Sequence, residues 1–185
     1  MKQQLRIIAG RWRGRNLPFP DVAELRPTPA RVRETLFNWL RCDVEGARCL
    51  DLFAGSGILG FEAASRGALQ VWAVDCHPKV CRAVADNIQR IGAGQIEVIR
   101  AEVSRFLAAQ APQTFDLVFM DPPFRIDVLP ACCRALESSV WLAPRAKVYI
   151  EAPRRRMLEG LPENWELLRS KAAGQVACHL FKRRP

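Results

Sequence analysis

From Arg48 to Glu151 the chain alternates short apolar runs with longer stretches whose apolar residues recur every three or four positions. RCLDLF, QVWAVD, QIEVIR, FDLVFM and AKVYIE have the length and bulk of buried strands. GILGFEAASRG, PKVCRAVADNIQRIG, AEVSRFLAAQ and a segment around 127–138 read as the helices between them. Val80, Val84, Ile88 and Ile91 fall on one helical face, and Gly67 is placed to end the helix before it. Strands separated by helices are joined by right-handed crossovers, which build a mostly parallel sheet covered on both sides. The predicted class is therefore α/β.

Both ends depart from that rhythm. NWELLRSKAAGQVACHLFKR reads as two strands joined at Ala173-Gly174, an antiparallel hairpin at the edge of the sheet. At the other end LRIIA is a short strand, GRWRGR a glycine-punctuated turn, and Asn16-Leu17 the start of a return strand. LPFPDVAELRPTP is proline-rich and irregular, so residues 1–27 are expected to form an extension and linker, and 28–185 the main domain. Thr28 is predicted to cap a helix with Pro29 in its first position and Val32, Leu36, Phe37 and Leu40 as its apolar stripe.

With 185 residues the chain can bury one core without disulfides or metal. Its seven cysteines are an odd number without a CxxC pair, and His77 and His179 lie far apart, so no zinc spacing is present. They are expected to be buried thiols in a reducing cytoplasm. No apolar run reaches membrane-spanning length, and the first residues do not resemble a secretory signal. The net charge of +9 is concentrated: residues 1–41 hold nine Lys or Arg against three acids. A basic segment of this kind suits a polyanion, and equally a solvated face.

DLFAGSGILG, residues 51–60, satisfies G-x-G-x-x-G through Gly55, Gly57 and Gly60, with Asp75 twenty residues beyond Gly55. Such a loop ends a strand, lets a ligand approach the backbone, and starts a helix whose free amides face it. Asp51, however, stands where a dinucleotide's pyrophosphate passes, and a carboxylate repels phosphate. It suits a ligand with a cationic amino group, such as the methionine part of S-adenosyl-L-methionine, or it caps the following turn. Asp75 suits ribose hydroxyls under either reading.

The strand FDLVFM ends on Asp121-Pro122-Pro123-Phe124. Two prolines fix φ and remove two backbone donors, which leaves a stiff corner rich in acceptors. A carboxylate, a carbonyl and an aromatic face suit a planar base with an exocyclic amine: Phe124 stacks, while Asp121 and the Pro122 carbonyl accept the amine hydrogens. If the strands ending at Asp51 and Met120 are neighbours, this corner faces the glycine loop.

Together these segments resemble the class I S-adenosylmethionine-dependent methyltransferases, and D-P-P-F their amino-methyltransferase members. RIIAGRWRGR, LRPTPARVRETLFNWL, DLFAGSGILGFEAASRGA, MDPPF and KAAGQVACHLFKR are similar to the RsmD family, which methylates the 2-amino group of a guanine in bacterial 16S ribosomal RNA. The resemblance runs from residue 6 to about 183. It implies a Rossmann-like, seven-stranded sheet ending in the antiparallel hairpin, with a small basic β-hairpin before it. It implies that Asp51, Phe53, Ala54, Gly55, Ser56 and Gly57 hold the methionine end, Asp75 the ribose, and Glu102 the adenine amine. Asp121, Pro122, Pro123 and Phe124 hold the guanine, and Arg6, Arg11, Trp12, Arg13, Arg15 and Arg26 the RNA; Trp12 equally suits packing. The same resemblance puts Arg26 and Thr28 close to the active site, where Thr28 is alternatively only the helix cap. A monomer acting on a 30S subunit or an assembly intermediate is implied, without metal or membrane. Three rivals use the same residues: a DNA amino-methyltransferase, a nicotinamide-dependent oxidoreductase and a non-catalytic RNA-binding module.

Overall fold

The computed structural model describes residues 3–22, 27–123 and 127–184. Strands β1 (Gln3–Arg6) and β2 (Asn16–Phe19) form an antiparallel hairpin, followed by helix α1 (Ala30–Trp39). Then come β3 (Arg48–Leu52), α2 (Ile58–Ser65), β4 (Gln70–Asp75), α3 (Pro78–Ile91), β5 (Ile96–Arg100) and α4 (Val103–Ala108). The chain continues through β6 (Phe115–Met120), α5 (Leu129–Ser138), β7 (Leu142–Pro153), β8 (Trp165–Ala173) and β9 (Val176–Arg183).

The main sheet has the order β5-β4-β3-β6-β7-β9-β8. Strands β3 to β7 pair in parallel, while β9 runs antiparallel to both β7 and β8. The chain works outward from β3 to β5, then returns to its other side as β6. Strand order reverses there, and the carboxyl ends of β3 and β6 border the crevice this leaves. Leu52 pairs with Met120, so the glycine loop and the Asp121 turn leave the sheet side by side.

Alternation along the strands divides the core between two faces. Leu50, Leu52, Val118, Met120, Val148 and Ile150 face α4 and α5. Cys49, Leu117, Phe119 and Tyr149 face the opposite way, with α1, α2, α3 and the amino-terminal hairpin. Every residue of α2 is buried, its apolar residues in the core and Glu62 and Ser65 against hydrogen-bond partners.

The hairpin is built into this second face, with Ile7, Trp12, Leu17 and Phe19 in the core. Its amides at Ile8, Arg11 and Trp12 donate to Glu62 Oε1, the Ser65 carbonyl and Ser65 Oγ at 2.8, 2.7 and 3.0 Å. The approach to α2 is so close that a Cβ on Gly10, whose φ is +82°, would lie 1.8 Å from the Ser65 carbonyl oxygen. Beneath it Arg33 donates to Glu62 Oε1 at 2.7 Å and to the carbonyls of Arg6 and Thr28 at 3.0 and 3.2 Å. Both partners are buried, and the pair joins hairpin, α1 and α2. The hairpin and the residues after it, 3–22, thus differ from the rest in architecture while packing on the same core.

Two local expectations are corrected. Thr28 does not cap α1: Pro29 holds the N-cap position, no side chain caps the helix, and the Thr28 hydroxyl is engaged with β7. The β8–β9 turn falls at Gly174-Gln175, one residue later than expected, with Gly174 at φ +62°.

Candidate active site

Period-two alternation carries the face chosen by the strands into their last residues. Asp51 follows Cys49, Asp121 follows Phe119 and Glu151 follows Tyr149, so all three carboxyls emerge on the α1–α2 side. Asp51 pairs in register with Phe119, and Phe119 with Tyr149. One position past the Met120–Ile150 pair, Asp121 and Glu151 come next on adjacent strands. Sequence reasoning missed Glu151 and Tyr149; for Thr28 it offered both a helix cap and, through the family resemblance, a place near the active site, and the Thr28 hydroxyl bonds Glu151. The signal was present, since VYIE, like VD and MD, ends a parallel strand on an acid.

Glu151 is 3% exposed, and its Oε1 accepts from the Thr28 hydroxyl and the Tyr149 hydroxyl, both at 3.0 Å. Burial holds its carboxyl above the usual range, against the pull of those two donors. Asp121 is raised well above an ordinary carboxyl, first by burial, then by Glu151 and Asp51, with the Thr28 hydroxyl opposing. A buried carboxyl and a half-buried one beside it resist ionising together, so they titrate as a pair. Pro122 is buried and Pro123 exposed, while Phe124 lies outside the described residues.

On the other side of the crevice, the loop from Phe53 to Gly57 lies between β3 and α2. Phe53 (φ 61°), Gly55 (φ 54°) and Gly57 (φ 73°) all adopt left-handed backbone, and the phenylalanine carries the strain there. Ser56 is buried, while Phe53, Ala54 and Gly55 are half-buried. Asp51 Oδ2 accepts from the Gly60 amide at 3.0 Å, so Asp51 does cap the first turn of α2. Its burial pushes the carboxyl up to about 8, with the Gly60 bond opposing. A bound ammonium would reverse that by favouring the ionised form.

Asp75 accepts from the Gly55 amide at 2.9 Å and the His77 amide at 2.8 Å, one on each oxygen. Each oxygen keeps a second acceptor site, as paired ribose hydroxyls require. Beside it His77 Nδ1 is buried without a partner, which suits a polar ligand at this corner. This donor and acceptor set fits a cationic amino acid joined to a ribose.

Glu102 is placed otherwise. Its exposed carboxylate accepts from the Ser104 and Arg105 amides, each at 3.2 Å, and from the Ser104 hydroxyl. It caps α4, and those bonds from Ser104 lower its pKa, so in this conformation its acceptors are directed to the helix.

Among the expected RNA contacts, Arg6, Arg11, Arg13 and Arg15 are exposed. Trp12 is 6% exposed and packs in the core, with the Arg11 guanidinium 5.3 Å from its ring centre; in this structure it is a packing residue, not a stacking surface. Arg26 lies outside the described residues. No helix among the described residues is long and apolar enough to cross a membrane.

Strand order, terminal hairpin and a glycine loop facing an acidic corner together define a class I methyltransferase. The family model described as conserved hypothetical protein 95 matches residues 5–182. Ribosomal RNA small subunit methyltransferase D of Escherichia coli is 46% identical over 180 residues, covering 97% of this chain and 90% of that protein. Its Haemophilus influenzae namesake is 42% identical over 98% of this chain and 95% of its own length. A solved structure of the Escherichia coli protein yhhF superposes with a TM-score of 0.91 at 43% identity, covering 98% of this chain and 99% of that one. The chain belongs to the RsmD family of methyltransferases. That membership sets aside the nicotinamide reading of the glycine loop.

Proposed function

We propose that this enzyme methylates the exocyclic 2-amino group of a guanine in bacterial 16S ribosomal RNA, using S-adenosyl-L-methionine. The observation that carries the reading is the acidic corner of Asp121 and Glu151 placed directly across from the Gly55–Gly57 loop. The relatives' name as small-subunit RNA methyltransferases supplies the substrate class.

S-adenosyl-L-methionine supplies an electrophilic methyl on a sulfonium. Asp51 and the Phe53–Gly57 loop hold its amino-acid end and Asp75 its ribose. Asp121 and the Pro122 carbonyl accept the two hydrogens of the guanine amine and turn its lone pair out of the ring plane. A guanine amine is a weak nucleophile, so positioning and fixed charge carry most of the acceleration. Asp121 takes the proton released as nitrogen gains carbon; its raised pKa suits that task. Glu151, fixed by Thr28 and Tyr149, keeps Asp121 basic and in place. Phe124 stacks on the base.

Arg6, Arg11, Arg13 and Arg15 meet the RNA backbone, and Arg26 adds a further cation to them. The enzyme works as a monomer in the cytoplasm on a 30S subunit or an assembly intermediate. The test is methyl transfer from labelled donor to small-subunit RNA carrying guanine or inosine at the target. Inosine lacks the 2-amino group, so transfer should vanish with it; equal labelling of both would overturn the reading.

A further inference from the structure

A cavity of about 410 Å³ opens between α1 and the β8–β9 hairpin, on the far side of Tyr149 from the acidic corner. Its volume falls in the range of small-molecule pockets, roughly 300–1,000 Å³. The wall is apolar, formed by Val32, Leu36, half-buried Trp39 and Val176, with Tyr149 and Cys178 as buried floor. Exposed Arg31 and Lys171 stand at its edge, the lysine 3.3 Å from the Thr35 hydroxyl, and no acidic side chain lines it among the described residues. An apolar cavity with an aromatic wall and two cations at its edge suits a base whose phosphate stays outside.

Its position says which base. Tyr149 is shared: the residue forms the cavity floor, and its hydroxyl is 3.0 Å from Glu151 Oε1, beside Asp121. Pro29, on the rim, is the neighbour of Thr28, which binds the same Glu151 oxygen. The cavity and the target corner are therefore separated by a single layer of side chains. A base held at Asp121 and one held in this cavity would lie on either side of that layer.

Resting on the function proposed above, we infer that this cavity receives a second unstacked nucleobase, one flanking the target guanine, with Trp39 against its face and Arg31 and Lys171 on its phosphate. The site makes recognition depend on an extruded run of RNA, not on a single base. A ribosomal-protein side chain is the competing occupant, disfavoured by the two cations at the mouth.

The test combines protein and RNA changes. Abasic nucleotides are placed one at a time on either side of the target, in bare RNA and in reconstituted particles, and KM is measured for the unaltered enzyme, Trp39→Ala and Lys171→Ala. S-adenosylhomocysteine affinity reports folding, and Lys171→Ala, a surface change, carries the comparison should Trp39→Ala lose it. One abasic position should raise the KM of the unaltered enzyme about tenfold, the scale of a lost base–aromatic contact. Each variant should raise KM on intact RNA; with Trp39→Ala the abasic change should then add little, and with Lys171→Ala the salt dependence of KM should become shallower. Fully additive effects with Trp39→Ala, an unchanged salt dependence with Lys171→Ala, or no sensitive flanking position would overturn the inference while leaving the proposed function intact. Variants impaired on particles alone would put a protein in the cavity and also overturn it. No transfer to RNA by the unaltered enzyme would remove both readings.

Discussion

The Thr28 hydroxyl donates to Glu151 Oε1 at 3.0 Å, joining the approach to α1 with the end of β7 across 123 residues of chain. That bond, matched by Tyr149 at 3.0 Å, fixes a buried carboxyl next to Asp121. Burial raises Asp121 most and Glu151 next, so Glu151→Gln should lower the Asp121 pKa. Ionised Asp121 is the active form in the proposed reaction. The acid limb of the kcat–pH profile should therefore move to lower pH, whereas a purely structural Glu151 would leave it in place.

Asp121→Asn keeps the shape of the corner and removes its charge. We expect kcat to fall about a hundredfold or more, the scale of a lost general base or fixed electrostatic partner. S-adenosylhomocysteine affinity, read by titration calorimetry, should change little, because Asp121 follows β6 whereas the glycine loop follows β3.

Asp51 links stability to pH. Its carboxyl, ordinarily near 3.8, is pushed up to about 8 by burial, so the folded chain holds a proton that the unfolded chain releases. Stability from this group is complete below the unfolded value and is lost as pH rises towards 8. In the absence of ligand the urea midpoint should fall between pH 5 and pH 8. Asp51→Asn should make that fall shallower; an identical slope would place the titration elsewhere.

Gly10→Ala tests how the basic hairpin is seated. The added methyl would meet the Ser65 carbonyl oxygen at 1.8 Å, and φ there is +82°. Overpacking of this kind costs roughly 1–3 kcal/mol, with the backbone penalty added. Chemical denaturation should show the loss, and RNA affinity should weaken with it.

Replacing Arg11, Arg13 and Arg15 by alanine removes three exposed cations, of which Arg11 also lies against the ring of Trp12. If they meet phosphates, the slope of log K against log salt should become shallower by about 2–3. An unchanged slope would move the RNA surface away from the hairpin.

Much of the fold was legible because alternation and helical periodicity are local. Leu50, Leu52, Val118 and Met120 report their strands and faces without any distant partner. Asp51, Asp75 and Asp121 were legible for the same reason, as acids at strand ends beside glycine or proline. Thr28 misled because a threonine before Pro29 has the local chemistry of a cap, while its partner is 123 residues away. Glu151 was overlooked in a strand that reads as plain core. Trp12 and Glu102 depended on where neighbouring elements settled, Trp12 against Ser65 and Glu102 on the amides of α4.

The central claim is that the Asp121 corner acts on a guanine amine. Its most direct test is mass-spectrometric mapping of methylated nucleosides in 16S ribosomal RNA from cells carrying either the unaltered chain or Asp121→Ala. The account predicts that N2-methylguanosine disappears from one position in the variant and that every other mark persists. Full retention of that mark, or loss of a methyl from a different base, would contradict it.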